Sequence, residues 1–133
     1  MTQTLARILI AEDDDNHRIA LKLMLKLSKY EAIEARDGQE AIDRTLCDKP
    51  DLILMDISLP AVDGLQATSE IRRHAEFQTL PILIVSGYDT QETLDKVRAS
   101  GATDFLSKPI EFEELKKVIE KHLAGKSPQS AAA

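Results

Sequence analysis

The sequence predicts an α/β domain in which a five-stranded parallel sheet is covered by helices on both faces. Short apolar runs alternate with longer amphipathic segments five times along the chain. The clearest runs are continuously apolar, which is typical of strands that are covered on both sides. Parallel neighbours need crossover connections, and the amphipathic segments can supply these as right-handed helical crossovers. A chain of 133 residues suits one domain built around one core.

The predicted strands are not equally well marked. Three continuous apolar runs are strong candidates, and they lie at residues 8–11, 52–55 and 82–85. Residues 30–35 form a more broken run. Residues 103–107 form a weak one, because only Phe105 and Leu106 in it are strongly apolar. We therefore expect a sheet with three central strands and two less apolar ones.

Each predicted strand is followed by a predicted helix. The first helix is indicated by apolar residues at helical spacing, namely Ile19, Leu23, Met24 and Leu27. It follows an Asp- and Asn-rich start that can cap it. The second, third and fourth helices are expected near residues 39–47, 65–74 and 90–100, and Gly101 stands where the fourth should stop. The last begins after Pro109 and carries Phe112, Leu115, Val118, Ile119 and Leu123.

Composition narrows the possible functions and locations. The formal net charge is -6, so there is no basic excess for binding nucleic acid directly. A single cysteine, Cys47, excludes an internal disulfide and fits a reducing compartment. No apolar run approaches the length of a membrane span, and the N-terminus lacks a signal-peptide pattern. We expect a cytoplasmic protein with one domain over residues 1–124. Residues 125–133 are small and polar, which predicts a disordered tail or linker stub.

Polar residues collect where the predicted strands end. Glu12 and Asp13 follow the first strand, Asp56 ends the third, Ser86 the fourth and Lys108 the fifth. In open α/β sheets, ligands bind beyond the carboxyl ends of the strands. Several close carboxylates need a counter-charge, and Mg²⁺ prefers oxygen ligands and often completes its shell with phosphate oxygens. An aspartate can act as a nucleophile, and a lysine can neutralise phosphoryl oxygens. These residue types therefore indicate magnesium-assisted phosphoryl transfer.

Four segments, taken in order, resemble the four blocks of the response-regulator receiver family. They read ILIAEDD at 8–14, PDLILMDISLPAVDG at 50–64, PILIVSG at 81–87 and GATDFLSKP at 101–109. The resemblance runs from about residue 7 to residue 123, nearly the whole chain. It implies a flavodoxin-like doubly wound sheet with strand order 2-1-3-4-5. It also implies a switch that takes a phosphoryl group from a histidine kinase or histidine phosphotransfer protein.

The resemblance implies a metal site and a phosphoacceptor. Asp56 would accept the phosphoryl group and Asp13 would bind Mg²⁺ directly, with Glu12 acting mainly through water and the Ser58 carbonyl as a further ligand. The same arrangement would accept Mn²⁺ in place of Mg²⁺. The protein would be no enzyme toward outside substrates, since it would catalyse only its own phosphorylation and dephosphorylation.

The resemblance also implies how the signal would leave the site. Ser86 would bind the phosphoryl group and move toward it, and Lys108 would pair with that group. The Lys108–Pro109 bond would be cis, as proline permits. Phe105 would change rotamer, which would alter a partner-binding face made by the fourth helix, the fifth strand and the last helix. The downstream target would be a protein, and neither nucleic acid nor a membrane is expected as a direct partner.

Three other functions share parts of this pattern. A haloacid-dehalogenase-type phosphohydrolase would need a second aspartate two residues after the nucleophile, where Ser58 stands, and a substrate cap. A flavodoxin-like FMN carrier would need a polar phosphate loop after the first strand and aromatic residues around the flavin. A receiver-like module that no longer takes phosphate would have no need of Asp56, Ser86 and Lys108 together. Hydrolysis of phosphomonoesters, flavin colour and phosphorylation would separate these alternatives.

Overall fold

The predicted alternation of strands and helices is confirmed. In a computed structural model, which describes residues 5–124, the strands are β1 (Arg7–Ala11), β2 (Glu31–Ala35), β3 (Leu52–Asp56), β4 (Ile82–Ser86) and β5 (Asp104–Ser107). The helices are α1 (Asp15–Leu27), α2 (Gly38–Asp48), α3 (Gly64–Arg72), α4 (Gln91–Ala99) and α5 (Phe112–Ala124), with a 3₁₀ turn at Ala75–Phe77. The predicted tail at residues 125–133 lies outside the described residues.

The sheet is parallel throughout and has the expected strand order, β2-β1-β3-β4-β5. Side chains alternate between the two faces of each strand, and two apolar clusters result. In β3, Ile53 and Met55 join the cluster under α2, α3 and α4, while Leu52 and Leu54 join the cluster under α1 and α5. All five residues of β3 and of β4 are buried. The continuous apolar runs of the sequence are therefore strands covered on both faces.

Four of the helices start at a polar cap. Asp14, Asp37, Asp63 and Thr90 each accept a hydrogen bond from the backbone N–H three residues ahead, which satisfies a donor that the helix leaves free. The Asp63-Gly64 pair thus forms the start of α3. After α1 the sequence has no glycine, and Lys29 takes the left-handed conformation there with φ 66.

The buried face of α1 is not the row that the sequence made conspicuous. Of the four residues that indicated this helix, Ile19, Leu23 and Leu27 are 59%, 56% and 64% exposed, and Met24 alone is partly buried against the core. The side of α1 that packs on the sheet carries Leu21 and Leu25, together with Arg18. The helix itself was predicted correctly, but its orientation was not visible in the apolar spacing, because both sides of the helix carry leucines.

Within residues 5–124, no helix is both long enough and apolar enough to cross a membrane.

Candidate functional site

The parallel register brings the polar strand ends to one edge of the sheet. Ala11 of β1 pairs with Met55 of β3, so Glu12 and Asp56 follow at the same level. Asp56 pairs in turn with Val85 of β4, and Ser86 pairs with Ser107 of β5. Lys108 comes next in the chain, and its backbone N–H donates to the Ser86 carbonyl at 2.9 Å. Residues that are up to 96 positions apart in the sequence thus share one cleft.

Three carboxylates form the acidic part of this cleft. Glu12, Asp13 and Asp56 each offer an oxygen, and these oxygens lie within 4.8 Å of one another. Glu12 and Asp56 are buried, whereas Asp13 is exposed to solvent. Two oxygens on one Mg²⁺ can be at most about 4.2 Å apart, twice the usual metal–oxygen distance. Small side-chain shifts would therefore let this group hold one hard cation with water completing its shell.

Lys108 is the cation of the cleft. Its Nζ donates to Oε1 of Glu12 at 3.0 Å and lies 3.5 Å from Oδ2 of Asp56. Burial alone would lower the pKa of the Lys108 ammonium, but the hydrogen bond to Glu12 and the charge of Asp56 outweigh it and raise that pKa. The ammonium therefore stays charged at neutral pH, beside the carboxylate that would receive a phosphoryl group. The predicted cis bond between Lys108 and Pro109 is confirmed.

Two serines border Asp56. The Ser86 hydroxyl is buried and accepts a hydrogen bond from the Tyr88 N–H at 3.0 Å. The Ser58 N–H donates to Oδ1 of Asp56 at 3.4 Å, a long bond that places the β3–α3 loop over the carboxylate. The Ser86 hydroxyl proton remains free to donate to an incoming oxygen, because a hydroxyl both donates and accepts.

Phe105 lies beside a cavity rather than in the cleft. Its ring is partly buried and packs against the cluster under α2, α3 and α4. It also lines a cavity of about 240 Å³ between α4 and β5, together with Leu94, Val97 and Arg98. The ring therefore has empty space next to it, as a side chain that changes rotamer would need.

The remaining acidic residues near the cleft have structural roles. Asp14 caps α1, and Asp15 pairs with Arg18, as expected for a helix N-terminus. His17 lies 3.6 Å from Asp14 and 3.9 Å from Glu12 but is largely exposed.

Arg18 is the residue near the site that sequence reasoning missed. Its side chain is only 4% exposed, and it donates to the Glu12 carbonyl at 3.0 Å. The available signal was its position three residues before Leu21 and seven before Leu25, which places all three on one side of α1.

Comparison with known families gives a match over nearly the whole chain. The family model of the response regulator receiver domain matches residues 8–120. Protein PilH of Pseudomonas aeruginosa is 39% identical over 123 residues, which cover 91% of this chain and all of PilH. The polar-differentiation response regulator DivK of Brucella anthropi is 32% identical and is covered to 94% of its length. The transcriptional regulatory protein PdtaR of Mycobacterium tuberculosis is 38% identical, but the match spans only 55% of it.

Two solved structures of related proteins superpose closely on this chain. The chemotaxis response regulator CheY4 of Vibrio cholerae superposes with a TM-score of 0.85 at 28% identity, covering 90% of this chain and 99% of that one. The receiver domain of a sensor histidine kinase from Pseudomonas aeruginosa superposes with a TM-score of 0.86, also at 28% identity, covering 91% and 99%. That second structure has a magnesium ion coordinated in its active-site cleft.

Proposed function

The chain belongs to the response regulator receiver domain family, and on that premise we propose that it is a signalling switch that accepts a phosphoryl group on Asp56. One observation carries this proposal: Asp56 lies at a strand end between two other carboxylates and the ammonium of Lys108. A carboxylate without neighbours would be an ordinary polar terminus. A nucleophile flanked by a cation and by further oxygen ligands is what phosphoryl transfer requires.

The proposed reaction uses three side chains of the cleft: Asp56, Lys108 and Ser86. An oxygen of Asp56 attacks the phosphorus of a phosphohistidine on a histidine kinase or phosphotransfer protein. The bond from phosphorus to the imidazole nitrogen breaks, and an acyl phosphate forms. Lys108 pairs with one phosphoryl oxygen, and the Ser86 hydroxyl donates to another. Hydrolysis of the acyl phosphate in the same cleft resets the switch, so the protein acts only on itself.

Mg²⁺ fits the oxygen-rich site, and Mn²⁺ would fit it as well. Asp13, Asp56 and the Ser58 carbonyl would hold the cation, with Glu12 acting through water. When bound, the cation neutralises charge on the phosphoryl oxygens.

The cytoplasmic location stays a prediction from the sequence.

Acetyl phosphate with Mg²⁺ should add one phosphoryl group to the purified protein. The adduct should be labile to base and to hydroxylamine, as acyl phosphates are, and intact-protein mass spectrometry will detect it. Generic phosphomonoesters should not be hydrolysed, which separates the switch from a phosphohydrolase. A protein that stays unmodified while hydrolysing such esters would contradict the proposal.

Asp13→Asn should weaken Mg²⁺ binding at least about tenfold, because one charged oxygen ligand is replaced by a neutral one. Titration of the wild type, followed by NMR shifts at the ends of β1 and β3, gives the reference affinity. Asp14→Asn is the matched control, since asparagine caps a helix as well as aspartate does. Equal Mg²⁺ affinity in Asp13→Asn and wild type would show that the metal assignment is wrong.

The output face is proposed to be α4, β5 and α5. A phosphoryl group on Asp56 would draw Ser86 toward it and free space next to β5, into which Phe105 can turn. Asp104, next to Phe105, is hydrogen-bonded to His122 of α5 at 2.9 Å. A change at Phe105 therefore has a route to α5 through Asp104, whose carboxylate contacts His122.

The charges of this face are mixed, because α5 carries Glu113, Glu114 and Glu120 beside its lysines; the lysines would suit individual acidic side chains of a partner. In α4, Lys96 and Arg98 are paired with Glu92 and Asp95. The cations of α5 that remain for a partner are Lys116, Lys117 and Lys121.

Beryllofluoride with Mg²⁺, which mimics the phosphoryl group, should shift NMR signals from Ser86 through Phe105 and His122 into α5. The physical reason is the chain of contacts just described. Asp56→Asn treated in the same way serves as the control and should show none of these shifts. Shifts confined to residues around Asp56 would mean that the domain takes phosphate without switching by this route.

A further inference from the structure

Arg18 is a buried charge whose bonds join three segments around the acidic cleft. Its Nη1 donates to the Glu12 carbonyl at 3.0 Å, and its Nε donates to Oε1 of Glu34 in β2 at 3.1 Å. Its Nη2 donates to Asp15 in the first turn of α1. Burying a guanidinium is costly unless all its donors are satisfied. A leucine would pack well at this inward position of α1, so packing alone does not explain why an arginine stands there.

The hydrogen bonds around Glu12 indicate what Arg18 does. Its N–H donates to the Ala35 carbonyl at 3.0 Å, and its C=O accepts from Arg18. Its side chain is held as well, since Oε1 accepts from Lys108 and Oε2 from the Asp14 N–H. The peptide that links Glu12 to Asp13 is thus held at its carbonyl by Arg18, and the peptide before it is held at its N–H by β2.

Asp13 depends on this backbone for its position. Among residues 5–124, the hydrogen bonds and ion pairs of the β1–α1 loop go to Glu12, Asp14 and Asp15 rather than to the Asp13 carboxylate. Asp13 is exposed, yet its oxygen lies within 4.8 Å of those of Glu12 and Asp56. Its place in this group is therefore determined by where the Glu12–Asp13 peptide lies.

We propose that Arg18 is a positioning residue for the divalent-cation site: by holding the Glu12 carbonyl, it keeps the Asp13 carboxylate beside Asp56 before the cation arrives. It touches neither the cation nor the phosphoryl group. This inference rests on the proposed function, because it concerns the affinity of the cation site proposed above. Residues that orient metal ligands in this way commonly change metal affinity by 10–100-fold.

Charge alone predicts the opposite change in Mg²⁺ affinity when Arg18 is replaced. The direction of the measured change therefore distinguishes positioning from electrostatics. Arg18 is positive and would repel a cation, and its removal would leave the carboxylates of Asp15 and Glu34 with less neutralisation. Both effects would strengthen cation binding if charge alone mattered. Positioning instead predicts weaker binding without Arg18, because the Asp13 carboxylate must then be ordered when the cation binds.

The test compares Arg18→Met and Arg18→Lys with wild type in Mg²⁺ titrations followed by NMR. Arg72→Met is the matched control. Arg72 is half-buried and also makes three hydrogen bonds, to Gly101 and Thr103 in the α4–β5 connection and to Phe77 in the 3₁₀ turn, away from the cleft. We expect about tenfold weaker Mg²⁺ binding in both Arg18 variants and unchanged binding in Arg72→Met. Arg18→Lys keeps the charge but loses the three-way fork, so it separates geometry from charge and serves if Arg18→Met does not fold.

A second readout needs no cation. Backbone amides of residues 12–14 should exchange hydrogen faster in the metal-free Arg18 variants than in Arg72→Met. Unchanged or tighter Mg²⁺ binding in folded Arg18 variants would overturn the inference and leave the proposed function intact. Absence of Mg²⁺ binding in wild type and in Arg72→Met would overturn both.

Discussion

Asp56→Asn should abolish the phosphoryl adduct while leaving the protein folded. The amide has nearly the shape of the carboxylate but lacks its nucleophilic oxygen, so no acyl phosphate can form. The 3.0 Å hydrogen bond from Lys108 to Glu12 does not involve Asp56, so it should persist in the variant and limit the structural disturbance. The expected change is from one phosphoryl group per chain to none. Intact-protein mass spectrometry after treatment with acetyl phosphate and Mg²⁺ measures it directly.

Asp63→Asn is the matched control for this experiment. Asp63 lies at the end of the β3–α3 loop that follows Asp56, is exposed and caps α3 by accepting from the Gln66 N–H. Asparagine caps a helix equally well. That variant should take the phosphoryl group as wild type does. An adduct of the same mass on Asp56→Asn would instead show that another side chain is the acceptor, and the function proposed above would lose its central residue.

Gly64→Ala should destabilise the protein by on the order of 3 kcal/mol and impair phosphorylation as well. A methyl group at Gly64 would lie 2.0 Å from the carbonyl oxygen of Asp56 and 3.0 Å from Cα of Ile57. Both are backbone atoms that cannot rotate away. Either the start of α3 or the peptide of the phosphoacceptor must therefore move.

Gly87→Ala provides the comparison for Gly64→Ala. Apart from the two neighbours of Gly87 in the chain, no atom of the described residues lies within 4 Å of a methyl group added there. The free energy of unfolding of Gly87→Ala should therefore stay within about 1 kcal/mol of wild type. Urea denaturation of the three proteins measures the difference. Equal stability of Gly64→Ala and Gly87→Ala would mean that α3 can shift freely, and that its contact with Asp56 does not constrain the site.

A second glycine constrains the same loop from another direction. A methyl group at Gly38, in the first turn of α2, would lie 1.7 Å from the Val62 carbonyl oxygen. The Gly38 N–H also donates to the Pro60 carbonyl at 3.3 Å. The loop that carries Ser58 is therefore packed between the N-termini of two helices. Neither glycine has a positive φ, so close packing rather than backbone conformation requires them.

The strands and the cleft residues could be predicted from the sequence alone. A continuous apolar run such as residues 52–55 has few uses in a small domain other than a strand covered on both faces. Once such runs are parallel, their carboxyl ends must share one edge of the sheet. Asp56 and Ser86 were placed at that edge by their position directly after apolar runs, and Lys108 by its position at the end of the weak fifth run. The resemblance to receiver domains added the strand order.

The orientation of α1 and the bracing of the cleft were decided only by the tertiary structure. Ile19, Leu23 and Leu27 recur along α1 as regularly as Arg18, Leu21 and Leu25 do. The helical spacing of 3.6 residues per turn therefore allows either row to face inward. What selects the second row is contact across the fold. Arg18 finds the Glu12 carbonyl and Glu34 there, and these acceptors come together only when β1 and β2 pair. Local periodicity cannot encode such a contact, because its partners meet only after the sheet has formed.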